Sequence, residues 1–145
     1  FPTAGRAQQR EELSRLDEEE RQLFLEDMQY AGRLDQIPEG LIDAASALSG
    51  CGPAFMYMFI EAMADGAVAC GVPRKQAMDY AAMAMLGAAE MVLQTGQHPG
   101  ALKDAVCSPG GSTIAGVRAL EHKGFRGAAM DCVIATYNRN KELGK

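Results

Sequence analysis

The sequence predicts an all-α fold: a helical bundle of about six to seven helices, interlocked with a second subunit, with at most one short strand. Three observations carry this. Alanine and nine methionines supply strong helix formers, while aromatic residues make up only 6% and tryptophan is absent. Glycines and prolines recur as breaks between apolar stretches. Two of those stretches are apolar nearly all round, so a small monomer cannot present both as surface helices.

The 145 residues amount to about one domain. With 48% hydrophobic and 23% charged residues and a mean hydropathy of −0.13, the chain is neither wholly disordered nor collagen-like. Residues 1–13 are polar and unpatterned, a loop or the remnant of something upstream. A helix starts near Leu16, where Ser14 or Asp17 can cap it and Glu18, Glu19 and Glu20 suit the helix dipole. Its stripe is Leu16, Leu23, Phe24, Met28 and Ala31, and Gly32 stops it. Residues 33–37 alternate apolar and polar positions, as a short strand or an extended link. Pro38 occupies a first helical position ahead of residues 39–48, and Gly50-Cys51-Gly52 interrupts before Pro53 opens the next helix. That helix runs to Cys70 with only Glu61 and Asp65 as charges, and Gly71-Val72-Pro73 ends it. The next, from Pro73 to Thr95, carries Arg74 and Lys75 in its first turn, then only Asp79 and Glu90, and stops at Gly96. A short helix or turn spans residues 99–105, a helix spans about 111–122, and the last spans 125–143 after Gly124.

The two apolar helices admit three readings. As membrane spans they would carry acidic groups within the apolar run, at roughly 2.5–3.5 kcal/mol each. As halves of a bundle completed by a second subunit they bury those faces, with methionine as adaptable packing. A Met-lined ligand groove is the third. The second is preferred.

The net charge of −5 excludes a chain devoted to gripping nucleic acid, which needs a basic surface. Residues 1–40 hold ten acidic and five basic residues and so account for the whole imbalance. Cys51, Cys70, Cys107 and Cys132 form no CxxC pair and there are two histidines, so no metal site is expected. No basic segment followed by an apolar one opens the chain, so a cytoplasmic setting with reduced thiols is expected, with no membrane partner. The chain opens on Phe1 rather than Met, which points to a piece of a longer chain, although numbering or cloning also accounts for it.

Chemistry concentrates in residues 103–113, KDAVCSPGGST, ahead of the apolar helix start Ile114-Ala115. Adjacent glycines open backbone conformations closed to other residues and let a ligand approach the peptide groups. Ser112 and Thr113 stand at the mouth of a helix, whose free N–H groups attract anions. The segment is thus a carboxylate or phosphate cradle, or an ordinary glycine-rich turn with a Ser/Thr cap. A second junction, Ser49-Gly50-Cys51-Gly52-Pro53, resembles half of a dinucleotide fingerprint, but no complete G-x-G-x-x-G after a strand is present. His98 and His122 are read as capping or surface groups, and Cys107 as a packing residue in preference to a reactive thiol. Glu61 and Asp65, four apart on one helix, are either paired carboxylates or, preferably, groups paired across subunits or hydrogen-bonded.

Three runs, DAASALSGCGPAF (residues 43–55), EAMADGAVACGVPR (61–74) and HPGALKDAVCSPGGSTIAGVRALEHKGF (98–125), closely resemble pyrroline-5-carboxylate reductase. The resemblance extends over residues 17–145. It implies that residues 1–37 are the tail of an N-terminal Rossmann domain and that 38–145 are the helical dimerisation and substrate-binding domain. It further implies NAD(P)H-dependent reduction of 1-pyrroline-5-carboxylate to L-proline, with NADP or NAD held mainly by a domain outside this chain. The partners it implies are a small cyclic imino carboxylate and a second copy, in a homodimer or higher homo-oligomer. Val106, Ser108, Pro109, Gly110, Gly111, Ser112 and Thr113 correspond to the substrate-binding loop, with Thr113 as the catalytic proton donor. Cys51, Gly52 and Pro53 correspond to cofactor contacts. Family members often carry Ser at the positions of Cys51 and Cys107 and a polar residue at Ala105. The alternatives are a non-catalytic helical dimerisation module and a related imine or β-hydroxyacid reductase.

Overall fold

The computed structural model describes residues 17–28 and 35–144. Their regular structure is entirely helical, as expected: seven α-helices and one 3₁₀ turn. The chain divides into two units, Phe1–Glu39 and Gly40–Lys145.

In the first unit, helix α1 spans Glu18–Met28. Asp17 Oδ1 accepts the Glu20 N–H at 2.9 Å, and the Glu20 carboxylate accepts the Asp17 N–H at 3.1 Å, a reciprocal capping box. Of the two caps the sequence offers, Asp17 therefore serves; Ser14 lies outside the described residues. So do Leu16, Ala31 and Gly32 of the expected stripe and stop, and Arg33 and Leu34 of the possible strand. Residues 35–38 are irregular, and no strand occurs among the described residues.

The second unit opens on a 3₁₀ turn, Glu39–Leu41, leading into α2, Ile42–Ser49. The sequence places Pro38 at the first helical position; the α-helix instead begins four residues later. Gly40 is a poor helix former, and the tighter turn takes the chain past it. Helix α3 spans Gly52–Ala69 and α4 spans Arg74–Thr95. Between them Gly71 takes φ +97° while its N–H bonds Val68 O at 2.9 Å and the Val72 N–H bonds Ala67 O at 3.0 Å. This Schellman closure satisfies the last carbonyls of α3 and turns the chain sharply, and Pro73 then caps α4. The Arg74 guanidinium reaches back to the Asp65 carboxylate, tying the two helices together beside the turn. The helix pair is the most extensively packed in the unit.

Helix α5 spans Pro99–Ala105, α6 spans Ser112–His122 and α7 spans Phe125–Leu143. Helix α7 returns to pack on α2, where Asn140 Nδ2 donates to Asp43 O at 3.2 Å across 97 positions of sequence. The rings of Phe59 and Phe125 meet at 5.4 Å between centroids.

Helices α3 and α4 nevertheless leave most of their large side chains in water, with Phe55, Phe59, Ile60 and Met85 half-buried. Among the described residues the hydrophobic ones that reach full burial are Ala47, Ala64 and Ala77, while Tyr57 and Met58 are each 69% exposed and Leu93 is 77% exposed. Among the described residues no helix is long and apolar enough to cross a membrane.

Removing the Asn140 donor tests how the unit is closed. Asn140→Ala is expected to lower the unfolding free energy by about 1 kcal/mol, the usual net worth of such a bond. An unchanged denaturant midpoint would show that α7 is held to α2 by packing alone.

Candidate functional site

Two glycines and a proline shape the segment between α5 and α6. Helix α5 runs out through bonds from the Val106 N–H to Lys103 O at 3.2 Å and from the Cys107 N–H to Asp104 O at 3.0 Å. The chain then reverses: the Gly111 N–H donates to Ser108 O at 3.0 Å across Pro109 and Gly110, and Gly110 takes φ +68°. Proline second and a positive φ third are the requirements of a type II turn. A Cβ on Gly111 would collide with Ser108 Oγ and stand 3.1 Å from Ser108 O, so glycine there lets the hydroxyl fold over the turn.

Gly111 is also the N-cap of α6, in extended geometry and without a side-chain cap bond. The first bond into that helix runs from the Ala115 N–H to Gly111 O at 3.4 Å. The amides of Ser112, Thr113 and Ile114 precede it and find no acceptor within the helix. They gather at the positive end of the helix dipole. Ser108, Ser112 and Thr113 are exposed, with their hydroxyls at the same end. The arrangement can hold a carboxylate or phosphate on several N–H and O–H donors at once. It brings Ser108, Pro109, Gly110, Gly111, Ser112 and Thr113 together, with exposed Val106 at the exit of α5.

Cys51, Gly52 and Pro53 occupy the start of α3 instead, with Cys51 half-buried, Gly52 buried and Pro53 exposed. Among the described residues no hydrogen bond joins them to the 106–113 segment. Pro53 has no N–H to offer, so this helix start presents fewer donors than that of α6.

The remaining polar groups fall outside the cradle. Lys103 donates a hydrogen bond to Asp104, which holds its ammonium above the ordinary lysine range. Glu61 and Asp65 are both exposed, which excludes a buried pair within this chain, and Asp65 is taken by Arg74 because the Schellman turn brings α4 back beside it. Cys107 is half-buried and all four cysteines are free. Among the described residues no cluster of potential metal ligands occurs. A shallow concavity of about 440 Å³ lies along α6, lined by Ala115, Arg118, Ala119, His122 and Lys123. It contains none of the expected site residues, and side chains of one helix and its cap do not enclose a ligand.

The turn type escapes the sequence reading, although Pro109-Gly110 following Ser108 is its local signature. Of the capping and surface roles the sequence offers His98, it takes the cap of α5: its Nδ1 accepts the Gly100 N–H at 3.0 Å.

Because Gly110 sits in the left-handed region, Gly110→Ala is expected to cost about 1–2 kcal/mol of stability, the penalty for a Cβ in that conformation. A denaturation midpoint equal to that of the unsubstituted chain would contradict the turn geometry.

The family model for the pyrroline-5-carboxylate reductase dimerisation domain matches residues 39–143. A pyrroline-5-carboxylate reductase of Methanosarcina acetivorans is 54% identical over 121 residues, 83% of this chain and 45% of that protein. The Escherichia coli enzyme is 52% identical over 114 residues, 79% of this chain and 42% of that protein. Among solved structures, the Plasmodium falciparum pyrroline carboxylate reductase with NADP bound superposes with a TM-score of 0.82 at 32% identity, covering 90% of this chain and 50% of that one. The Coxiella burnetii enzyme does so with a TM-score of 0.83 at 33% identity, covering 90% and 48%. The chain thus spans half or less of the length of these relatives, and within that span it belongs to the pyrroline-5-carboxylate reductase family.

Proposed function

We propose that this chain is the substrate-binding and dimerisation part of a pyrroline-5-carboxylate reductase, which reduces 1-pyrroline-5-carboxylate to L-proline with NADH or NADPH. The observation that carries the reading is the type II turn at 108–111 feeding the open N-terminus of α6. In this reading residues 1–37 are the tail of a cofactor domain and 38–145 the helical domain. The setting is the cytoplasm, where the four free cysteines stay reduced.

The substrate is a ring with one carboxylate and one C=N bond. The amides of Ser112, Thr113 and Ile114 with the Ser108 hydroxyl hold the carboxylate, which fixes the ring relative to α6. Thr113, second residue of the helix, places its hydroxyl beside the imine nitrogen. An unperturbed alcohol is a poor acid. Thr113 therefore orients an already protonated iminium or relays a proton from water, which its exposure permits. The nicotinamide cofactor, when bound, supplies the hydride that the C=N carbon accepts. One hydride on carbon and one proton on nitrogen complete the secondary amine, with no leaving group. At the start of α3, the half-buried Cys51 and the N–H-free Pro53 suit an uncharged edge of the cofactor, not its phosphates.

The exposed faces of α3 and α4 are assigned to a second copy of the chain. Their methionines and tyrosines supply a contact surface of the kind that an obligate homodimer buries.

The full-length parent enzyme is expected to oxidise NADH or NADPH only with the cyclic imino acid present; no turnover would end the enzymatic reading. Thr113→Ala is expected to lower kcat about a hundredfold, the low end for a lost proton-transfer group. An unchanged kcat would remove Thr113 from the chemistry while leaving the substrate assignment intact.

A further inference from the structure

We propose that His98 is a positioning residue: by closing the N-terminus of α5 it sets how the chain leads into the 106–113 turn, and so how well the turn holds its anion. The inference rests on the reading of that turn as the carboxylate site.

Helix α5 has seven residues, too few to be stable by itself. Among the described residues it packs extensively against no other helix. Its ends therefore decide whether it forms. At the N-terminal end His98 supplies every acceptor. Its carbonyl takes the Ala101 N–H at 2.9 Å and the Leu102 N–H at 3.3 Å, its ring Nδ1 takes the Gly100 N–H at 3.0 Å, and Pro99 has no N–H to satisfy. At the other end the helix passes through the Val106 and Cys107 bonds directly into the Ser108 turn. A change at His98 is thus transmitted to the turn through seven residues of otherwise lightly supported helix.

The neighbouring glycine makes the arrangement specific. A Cβ on Gly100 would stand 2.9 Å from His98 Nδ1 and 3.2 Å from Cε1, so the imidazole lies directly against the Gly100 backbone. Any side chain at position 100 displaces the ring and breaks the bond. His98 and Gly100 act as one unit. Because Nδ1 accepts in this bond, the ring's N–H in this arrangement is on Nε2. Nδ1 is consequently not available as a base toward substrate.

The test uses the full-length parent enzyme. His98→Ala is expected to raise KM for the imino acid at least fivefold with kcat within twofold. His98→Asn, whose side-chain oxygen fills the same cap, is expected to return KM to within twofold of the parent. Gly100→Ala should behave as His98→Ala, and nitrogen NMR should find the wild-type ring protonated on Nε2. Unchanged KM in His98→Ala, an effect on kcat alone, or a proton on Nδ1 would each overturn the proposal. Should the parent reduce no imino acid, the functional reading fails separately. Amide hydrogen exchange then decides the positioning role: exchange at Gly110 and Gly111 quickens several-fold in His98→Ala and recovers in His98→Asn, with α3 and α4 unaffected, or the role is lost.

Discussion

Among the described residues full burial is reached by small ones, the three alanines and Gly52, whereas the tyrosines, the leucines and all the methionines but half-buried Met85 of α3 and α4 stay exposed. Covering one such side chain contributes roughly 1.5–3 kcal/mol. Tyr57, Met58, Tyr80, Met83 and Leu93 together represent about 10 kcal/mol, comparable to the whole stability of an ordinary domain. In the proposed dimer a second copy covers that surface and completes the core. The local devices of the fold are those such a half needs. The Schellman turn at Gly71 and the Asp65–Arg74 pair set the hairpin of α3 and α4, and the Asn140 bond closes α7 onto α2, so that the apolar faces are held ready before they are covered.

The turn proposed to hold the anion is built on the opposite principle. Its residues are exposed or half-buried, and its shape comes from backbone hydrogen bonds, one proline and one left-handed glycine. Exposure is what the proposed task requires, because donors that meet a carboxylate must be free of protein acceptors. The turn is supported through short α5 on one side and α6 on the other, which makes caps at those helices more consequential than caps elsewhere.

Much of this was legible in the sequence because helix punctuation is local. Gly71, Gly96 and Gly124 all take positive φ where the reading placed breaks, and Pro53 and Pro99 open helices as their missing N–H groups dictate. The turn and helix start at Ser108 to Thr113 were legible because Pro-Gly and adjacent glycines mark a turn and the following Ser-Thr a helix mouth; the cradle is the use proposed for them. The 3₁₀ start after Pro38 was not, since it depends on a competition at Gly40 that propensity alone does not resolve. The Asp65–Arg74 pair was hidden because it depends on the direction in which the hairpin turns. His98 was ambiguous for a similar reason: a ring can reach its own helix end only if the residue two places on has no Cβ, which becomes visible once the geometry of Gly100 is known.

The claim on which the account stands is that α3 and α4 are completed by a second copy of the chain. Sedimentation equilibrium across the micromolar range tests it directly, with circular dichroism to show that the helices are formed. The account requires a dimer, or a multiple of it, of about twice the 15.5 kDa chain mass or more. A well-folded monomer at those concentrations would contradict it.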